Sequence, residues 1–277
     1  MEEIPEERLN VDYLFFNDKK KIYVCLNHRA AYLCWIDAQR RKFLNDYSLL
    51  FHIDYHADFW LEKEELLAEQ ETIKDQLEKL KEFVKHKLRI LNTDFIVLSM
   101  HRGTIGDAIS IHRLGENLYG EFKKGGYIGT DRQEFKDRKS VTHKFYLCSS
   151  SIEGLTGYQG LLTDRFTNQD VKQVFEENVR KRNAVLDVDL DFFTYADNEE
   201  RRWAMNPRNL DRLLYSEGFN YIFDRMNVIT IALEPLCCGG NVECLSILDK
   251  VSSYICEKIN LDIKEETVTK FANELRQ

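Results

Sequence analysis

The stretch His52-Ile53-Asp54-Tyr55-His56-Ala57-Asp58 sets imidazoles and carboxylates on alternate positions behind the apolar run Leu49-Leu50-Phe51. A second apolar run, Ala184-Val185-Leu186, ends in Asp187-Val188-Asp189. A third, over 227–233, ends in Glu234, and the run 21–26 leads to His28. Alternate residues of an extended chain point to one side, so the His52–Asp58 set can share a face, as can Asp187 and Asp189. A buried carboxylate without a partner is costly, so it neutralises, pairs or binds a cation. Asp54, Asp58, Asp187 and Asp189 have no Lys or Arg beside them in the chain. A divalent metal is therefore the natural counter-charge. Mixed carboxylate and imidazole donors suit manganese better than a thiolate-seeking metal, and the number of carboxylates suits two ions.

Each motif alone has a plainer reading. A His-x-Asp on a strand is commonly a hydrogen-bonded pair, and an Asp-x-Asp after a strand is commonly a turn signal. Their convergence on several strand ends is what favours a shared metal site. His52 precedes the first Asp of the pattern and is expected to face the core. Asp191, followed by Phe192 and Phe193, reads as part of a packed turn. Cys237-Cys238-Gly239-Gly240 lacks the second ligand pair of a zinc site and reads as a tight turn, with Cys238 lining the pocket.

The frame that must position these groups is an alternation of strand-like and helical segments. Strands are expected at 21–26, 47–54, 94–100, 144–149, 184–193 and 227–235, and helices over 27–44, 62–91, 169–182 and 206–226. Thr167 or Asn168 would cap the third helix, Pro207 lies near the first turn of the fourth, and a last helix starts near Asn241. This pattern argues for an α/β fold with a mostly parallel sheet, read as one domain over 1–277. In such sheets ligands sit beyond the carboxyl ends of the strands, which is where the polar residues collect.

Composition removes several classes. The net charge of −8 over 277 residues opposes nucleic-acid binding driven by bulk charge. No apolar run approaches the roughly 20 residues of a membrane span, and the acidic start MEEIPEERLN lacks the features of a signal peptide. Seven cysteines, an odd number, do not form a disulfide framework. A cytoplasmic setting is expected.

Asp54-Tyr55-His56-Ala57-Asp58 resembles the Asp-x-His-x-Asp motif of the arginase and agmatinase superfamily, the ureohydrolases. Leu186–Asp191 is similar to its second motif, His28 stands where that family has a metal-binding histidine, and Glu234 stands where it has a guanidinium-holding glutamate. The segment Leu233–Gly240 looks closest to atypical peptide arginases, which convert arginine residues of ribosomally made precursor peptides to ornithine. The resemblance implies a three-layer α/β/α fold of the arginase/deacetylase kind and two Mn2+ per chain. His28, Asp54, Asp58 and Asp187 would bind the first ion; Asp54, His56, Asp187 and Asp189 the second, with Asp54 and Asp187 bridging. The sequence departs from the family in Cys25-Leu26-Asn27 before His28 and in Leu190-Asp191-Phe192 after the second motif.

The implied reaction is hydrolysis of a guanidinium to urea and an amine by metal-activated water. Glu234 would pair with the planar cation, Asp189 would accept a hydrogen bond or the proton, and His101 would protonate the leaving amine. Phe59 and Trp60 offer few donors for the head group of free arginine and would line a groove for an arginine-containing precursor peptide. Homo-oligomerisation stays open. So do three alternatives: hydrolysis of a small guanidino compound, a zinc deacetylase of the same fold, and a non-catalytic metal-binding protein.

Overall fold

Ser48–Asp54, Ala184–Asp189 and Val228–Ala232 are buried at every position, the pattern of strands covered on both faces of a parallel sheet. The structure is a computed structural model and describes residues 11–15, 21–56, 58–59, 65–73, 76–88, 94–112, 127–150, 169–196 and 202–259. Its strands are β1 (Val11–Phe15), β2 (Lys21–Cys25), β3 (Ser48–Asp54), β4 (Ile105–His112), β5 (Tyr127–Lys136), β6 (Thr142–Ser150), β7 (Ala184–Asp189), β8 (Thr194–Ala196), β9 (Arg202–Ala204) and β10 (Val228–Ala232). Eight of them form one sheet in the order β1-β2-β10-β7-β3-β4-β6-β5. The six inner strands are mutually parallel, and β1 and β5 pair antiparallel at the edges. The hairpin β8–β9 stands apart.

The helices are α1 (Ala31–Arg40), α2 (Glu65–Ile73), α3 (Leu77–Lys87), α4 (Asp94–Arg102), α5 (Gln169–Lys181), α6 (Pro207–Leu214), α7 (Glu217–Phe223) and α8 (Asn241–Ile259). They cover opposite faces of the sheet, giving three layers. One core packs Leu49, Phe51, Leu186 and Ile229 against Phe175, Leu210, Phe219 and Ile247 of α5–α8. The other packs Leu50, Val185 and Val228 against Trp35, Leu66, Leu80 and Phe95 of α1–α4. Because strand side chains alternate, His52 and Asp54 follow Leu50 onto the α1–α4 face. Asp187 and Asp189 follow Val185 there, and Thr230 follows Val228. Near their carboxyl ends the central strands thus exchange apolar for polar residues on one face only.

Connections set where a ligand can enter. From β3 the chain moves outward to β4 and β6; from β7 it moves the other way to β10. The crevice at such a reversal is the usual ligand site of an open α/β sheet. Here it opens between Asp54 and Asp187–Asp189.

Several expected elements come out differently. Residues 94–100, expected as a strand, form helix α4 and are all buried. A short segment apolar on every side fits a buried helix as well as a buried strand; the strand follows at β4. The expected helix over 62–91 is two helices, α2 and α3, with Gln76 extended between them. Of the apolar stripe expected along this stretch, Leu66, Ile73, Leu80 and Val84 are buried and Leu77 is half-buried. The segment 206–226 is also two helices: Asn206 caps α6 with Pro207 in its first turn, and Ser216 caps α7 by accepting the Phe219 N–H. The capping positions Thr167 and Asn168, and Trp60, lie outside the described residues. Among those described, no helix is long and apolar enough to cross a membrane.

Candidate metal centre

His28 opens a short 3-10 turn, His28–Ala30, directly after β2. The turn is tied to the end of β10. Leu233 and Glu234 donate their N–H groups to Cys25 and Leu26 carbonyls, at 2.9 and 3.1 Å. In return the His28 N–H donates to Glu234 Oε1 at 2.7 Å. Glu234 has φ 40° and Asp58 φ 46°, the left-handed region that costs a non-glycine residue on the order of 1–3 kcal/mol and tends to occur at functional sites. Both are residues that the sequence marks out for chemistry.

Asp187 sits at the hub. Its Oδ2 is 2.8 Å from His28 Nε2 and 2.8 Å from His52 Nδ1, while Oδ1 accepts the Thr230 hydroxyl. Trp35 Nε1–H in turn donates to Thr230 Oγ1 at 3.2 Å. One carboxylate therefore fixes both imidazole rings by one nitrogen each, and Phe95 lies against His28 with ring centroids 4.7 Å apart. The other nitrogens, His28 Nδ1 and His52 Nε2, face Asp54 Oδ2 at 3.2 and 3.4 Å. Asp189 Oδ2 and Asp58 Oδ2 also approach His28 Nδ1, at 3.0 and 3.5 Å. On the more open side, His56 Nδ1 lies 3.2 Å from Asp191 Oδ2 and 3.5 Å from Asp54 Oδ1.

The donor set fits metal binding. His28 Nδ1, His52 Nε2, Asp54 Oδ2 and Asp191 Oδ2 are buried and make no well-aligned hydrogen bond, only the 3.0–3.5 Å ion-pair contacts just described, an arrangement that suits atoms pointing at a common cation. Among the described residues, four groups have ligand atoms mutually within 4.8 Å: His28–His52–Asp187, His28–Asp54–Asp189, His52–Asp54–Asp58 and Asp54–His56–Asp191. Asp54 belongs to three of them.

The electrostatics of the cluster follow from this crowding. Burial opposes charge on His28, but Asp187, Asp189 and Asp54 outweigh it and hold the imidazole well above its ordinary pKa. His52 is raised in the same way by Asp187 and Asp54. Burial likewise opposes the charge on Asp54, yet His28, His52 and His56 keep it well below the usual carboxylate range. Burial and the Asp54 charge push Asp58 well up, and burial with Asp191 does the same to Asp189. The cluster thus favours protons on Asp58 and Asp189 and positive charge on the two imidazoles. Metal ligands must be deprotonated, so metal uptake is expected to release protons and its affinity to rise with pH. Titration calorimetry in buffers of different ionisation enthalpy reads the proton number; uptake without net release would contradict this charge distribution.

Of the residues singled out in the sequence, His28, Asp54, His56, Asp58, Asp187, Asp189 and Glu234 converge. Two that were set aside join them. His52 packs inward as expected but meets Asp187 and Asp54 there. Asp191 is buried in the 3-10 turn Leu190–Phe193, where its Oδ1 also accepts the Tyr55 N–H at 3.2 Å. The alternation His52-x-Asp54 and Asp187-x-Asp189-x-Asp191 was the available signal for both.

Others are carried elsewhere. His101 ends α4, bonded to Glu71 at 3.0 Å. The nearby Gly103 carbonyl accepts the Tyr47 N–H just before β3 starts. Asp54 is at the far end of that strand, about 20 Å away at roughly 3.3 Å per residue. His101→Asn is accordingly expected to leave turnover within about twofold, in line with the small effect of substitutions remote from a site; a larger loss of kcat would reinstate it. His112 lies on the same rim as the cluster, in register beside Asp54. Cys238 is fully buried, and its Sγ–H donates to the Leu233 carbonyl. Cys237 faces the site, 3.9 Å from Glu234 Oε2. Phe59 stacks on Phe145, centroids 3.6 Å apart, rather than lining a groove.

A solved structure described as a hypothetical agmatinase from Burkholderia thailandensis is similar to this chain with a TM-score of 0.34 and 12% identity, covering 83% of this chain. The match spans 59% of that protein's length. No family model matches the chain, and no curated protein does.

Proposed function

We propose that this chain is a metal-dependent hydrolase of guanidinium groups, using manganese to convert arginine residues of a precursor peptide to ornithine and urea. The observation that carries the reading is the convergence of buried ligand atoms without a well-aligned hydrogen bond from the β2 turn, β3 and the turn after β7, with the Glu234 carboxylate beside them. Of these atoms Asp54 Oδ2 belongs to the Asp-x-His-x-Asp motif that resembles ureohydrolases, while His52 and Asp191 flank the two motifs and His28 stands at the place of that family's metal-binding histidine.

In this reading His28 Nδ1, His52 Nε2, Asp54, Asp58 and Asp189 hold one ion, and Asp54, His56 and Asp191 hold a second. Asp187, with both oxygens engaged, fixes the two imidazoles from behind, a familiar role for a carboxylate outside the ligand shell. Metal bound there would supply ionised water near neutral pH, by bringing its pKa to about 7. Glu234 uses Oε1 to hold the His28 turn and presents Oε2 to the substrate cation. Burial raises its pKa to about 7 although the His28 amide opposes this, and a guanidinium alongside would keep it ionised. His112 takes over the part of proton donor to the leaving amine. The net charge of −8 favours approach of a basic peptide.

The test is incubation of manganese-loaded protein with arginine-containing peptides, free arginine and agmatine. Urea release and the mass loss of arginine-to-ornithine conversion are followed together. Turnover of free arginine or agmatine in preference to every peptide would refute the peptide substrate; stoichiometric metal with no urea from any compound would refute the hydrolase.

A further inference from the structure

Arg202, at the start of β9, reaches inward from the hairpin β8–β9. Its guanidinium lies 3.8 Å from the centroid of the Tyr55 ring, the residue between Asp54 and His56. Its NH1 donates to Thr194 Oγ1 at 3.3 Å, and that hydroxyl donates to the Asp191 carbonyl at 2.6 Å. Strand alternation separates it from Tyr195 and Trp203, which pair on the other face of the hairpin and are 44% and 41% exposed.

Its backbone is fixed from the opposite side. A Cβ on Gly239, which has φ 95°, would come within 2.0 Å of the Arg202 carbonyl oxygen. Only glycine allows that approach, and the loop so placed is the one that carries Glu234 and Cys237. Burial raises the pKa of both Asp191 and Cys237, and the nearby charge of Arg202 opposes that rise in each. A clamped cation thus stands between the two sides of a carboxylate-rich site.

A cation there is unexpected for a site that takes a guanidinium. The other arginine beside the cluster, Arg29, is committed to structure: its NH1 donates to the Lys85 and Leu88 carbonyls at 3.2 and 2.6 Å, closing the end of α3. Arg202 makes one hydrogen bond to Thr194 and stacks on Tyr55, which leaves most of its five N–H donors without a partner among the described residues. Stacking on an aromatic face holds a guanidinium in place while its edges remain able to donate.

We propose that Arg202 is a specificity-determining subsite that donates to an oxygen at the amino-acid end of the substrate, either a free carboxylate or a peptide carbonyl. The substrate then has its guanidinium on Glu234 and its oxygen on Arg202. A guanidino compound ending in an amine has no such acceptor and adds a second positive charge facing Arg202. This inference rests on the reading of the cluster as a guanidinium-hydrolysing site, and it makes agmatine the wrong kind of substrate.

The experiment compares the metal-loaded parent with Arg202→Met on free arginine, Nα-acetylarginine N-methylamide, agmatine and 1-guanidinobutane. Both kcat/KM for urea release and equilibrium binding are measured. Losing a charge-assisted hydrogen bond costs roughly ten- to a hundredfold. The expected result is a fall of that size, relative to guanidinobutane, on whichever oxygen-bearing compound the parent prefers, with a relative gain on agmatine. The compound that falls further identifies the oxygen as carboxylate or carbonyl. An equal fall on all four would overturn the proposal and make Arg202 a structural residue. If the parent hydrolyses none of them, the reading of the site fails instead. Binding then decides on Arg202: selective loss of the oxygen-bearing compounds in Arg202→Met upholds the subsite, and unchanged binding removes it.

Discussion

Asp54→Asn is expected to abolish stable metal binding and, with it, turnover. The substitution keeps the shape of the side chain but removes a charge that three imidazoles face: His28 at 3.2 Å, His52 at 3.4 Å and His56 at 3.5 Å. Removing one partner of a buried charged set costs about 3–5 kcal/mol, equivalent to roughly two to four decades of metal affinity. Asp187→Asn is expected to do less, despite equal burial, because its oxygens already serve His28, His52 and Thr230. Loss of such an orienting partner typically weakens metal affinity about 10- to 100-fold. Elemental analysis after gel filtration and a metal titration of each variant give the ranking. Equal loss in both variants would return Asp187 to the bridging position that the ureohydrolase resemblance implies, and full retention by Asp54→Asn would remove the proposed centre.

The contrast between these two aspartates also shows what the chain alone can reveal. Alternation of polar and apolar residues placed Asp54, Asp187 and Asp189 on strand ends, because the period of a strand is a local property. The two buried runs that carry them are long enough to be recognised without tertiary information. Which atoms each carboxylate faces depends on the register of β3 beside β7, where His52 pairs with Asp187. That register is set by two separate core faces, so His52 read only as a core residue. His101 was misplaced for a related reason. Asp94–Met100 is buried on all sides, and such a run carries no period to tell helix from strand. Once it is a helix returning to the sheet, its end lies at the amino edge of the strands and not at the site. The edge strands β1 and β5 and the inner strand β4 escaped notice because polar residues or glycine interrupt their apolar character, as Gly106, Asp107 and Ser110 do in β4.

Glu234→Gln should separate guanidinium chemistry from metal binding. In the proposed reaction Glu234 has two tasks with different requirements. Oε1 accepts the His28 N–H at 2.7 Å and so holds the turn that aims the His28 ring; a neutral amide oxygen can do the same. Oε2, which among the described residues meets only the weak Cys237 Sγ–H donor at 3.9 Å, would face the cationic substrate, and there the negative charge is essential, because a guanidinium pairs with carboxylate through charge-assisted bonds about twice as strong as neutral ones. Glutamine therefore keeps the turn and the metal while losing the anchor. Removal of one member of a desolvated ion pair costs about 3–5 kcal/mol, or roughly two to four decades in kcat/KM. Glu234→Ala loses both tasks: the His28 amide is left buried without its acceptor, so metal content should fall along with turnover. The pair of variants is informative because a structural glutamate and a substrate-binding glutamate respond differently. If glutamine preserved urea release at the parent rate, Glu234 would serve only to brace His28, and the guanidinium would have to be held by another carboxylate of the cluster.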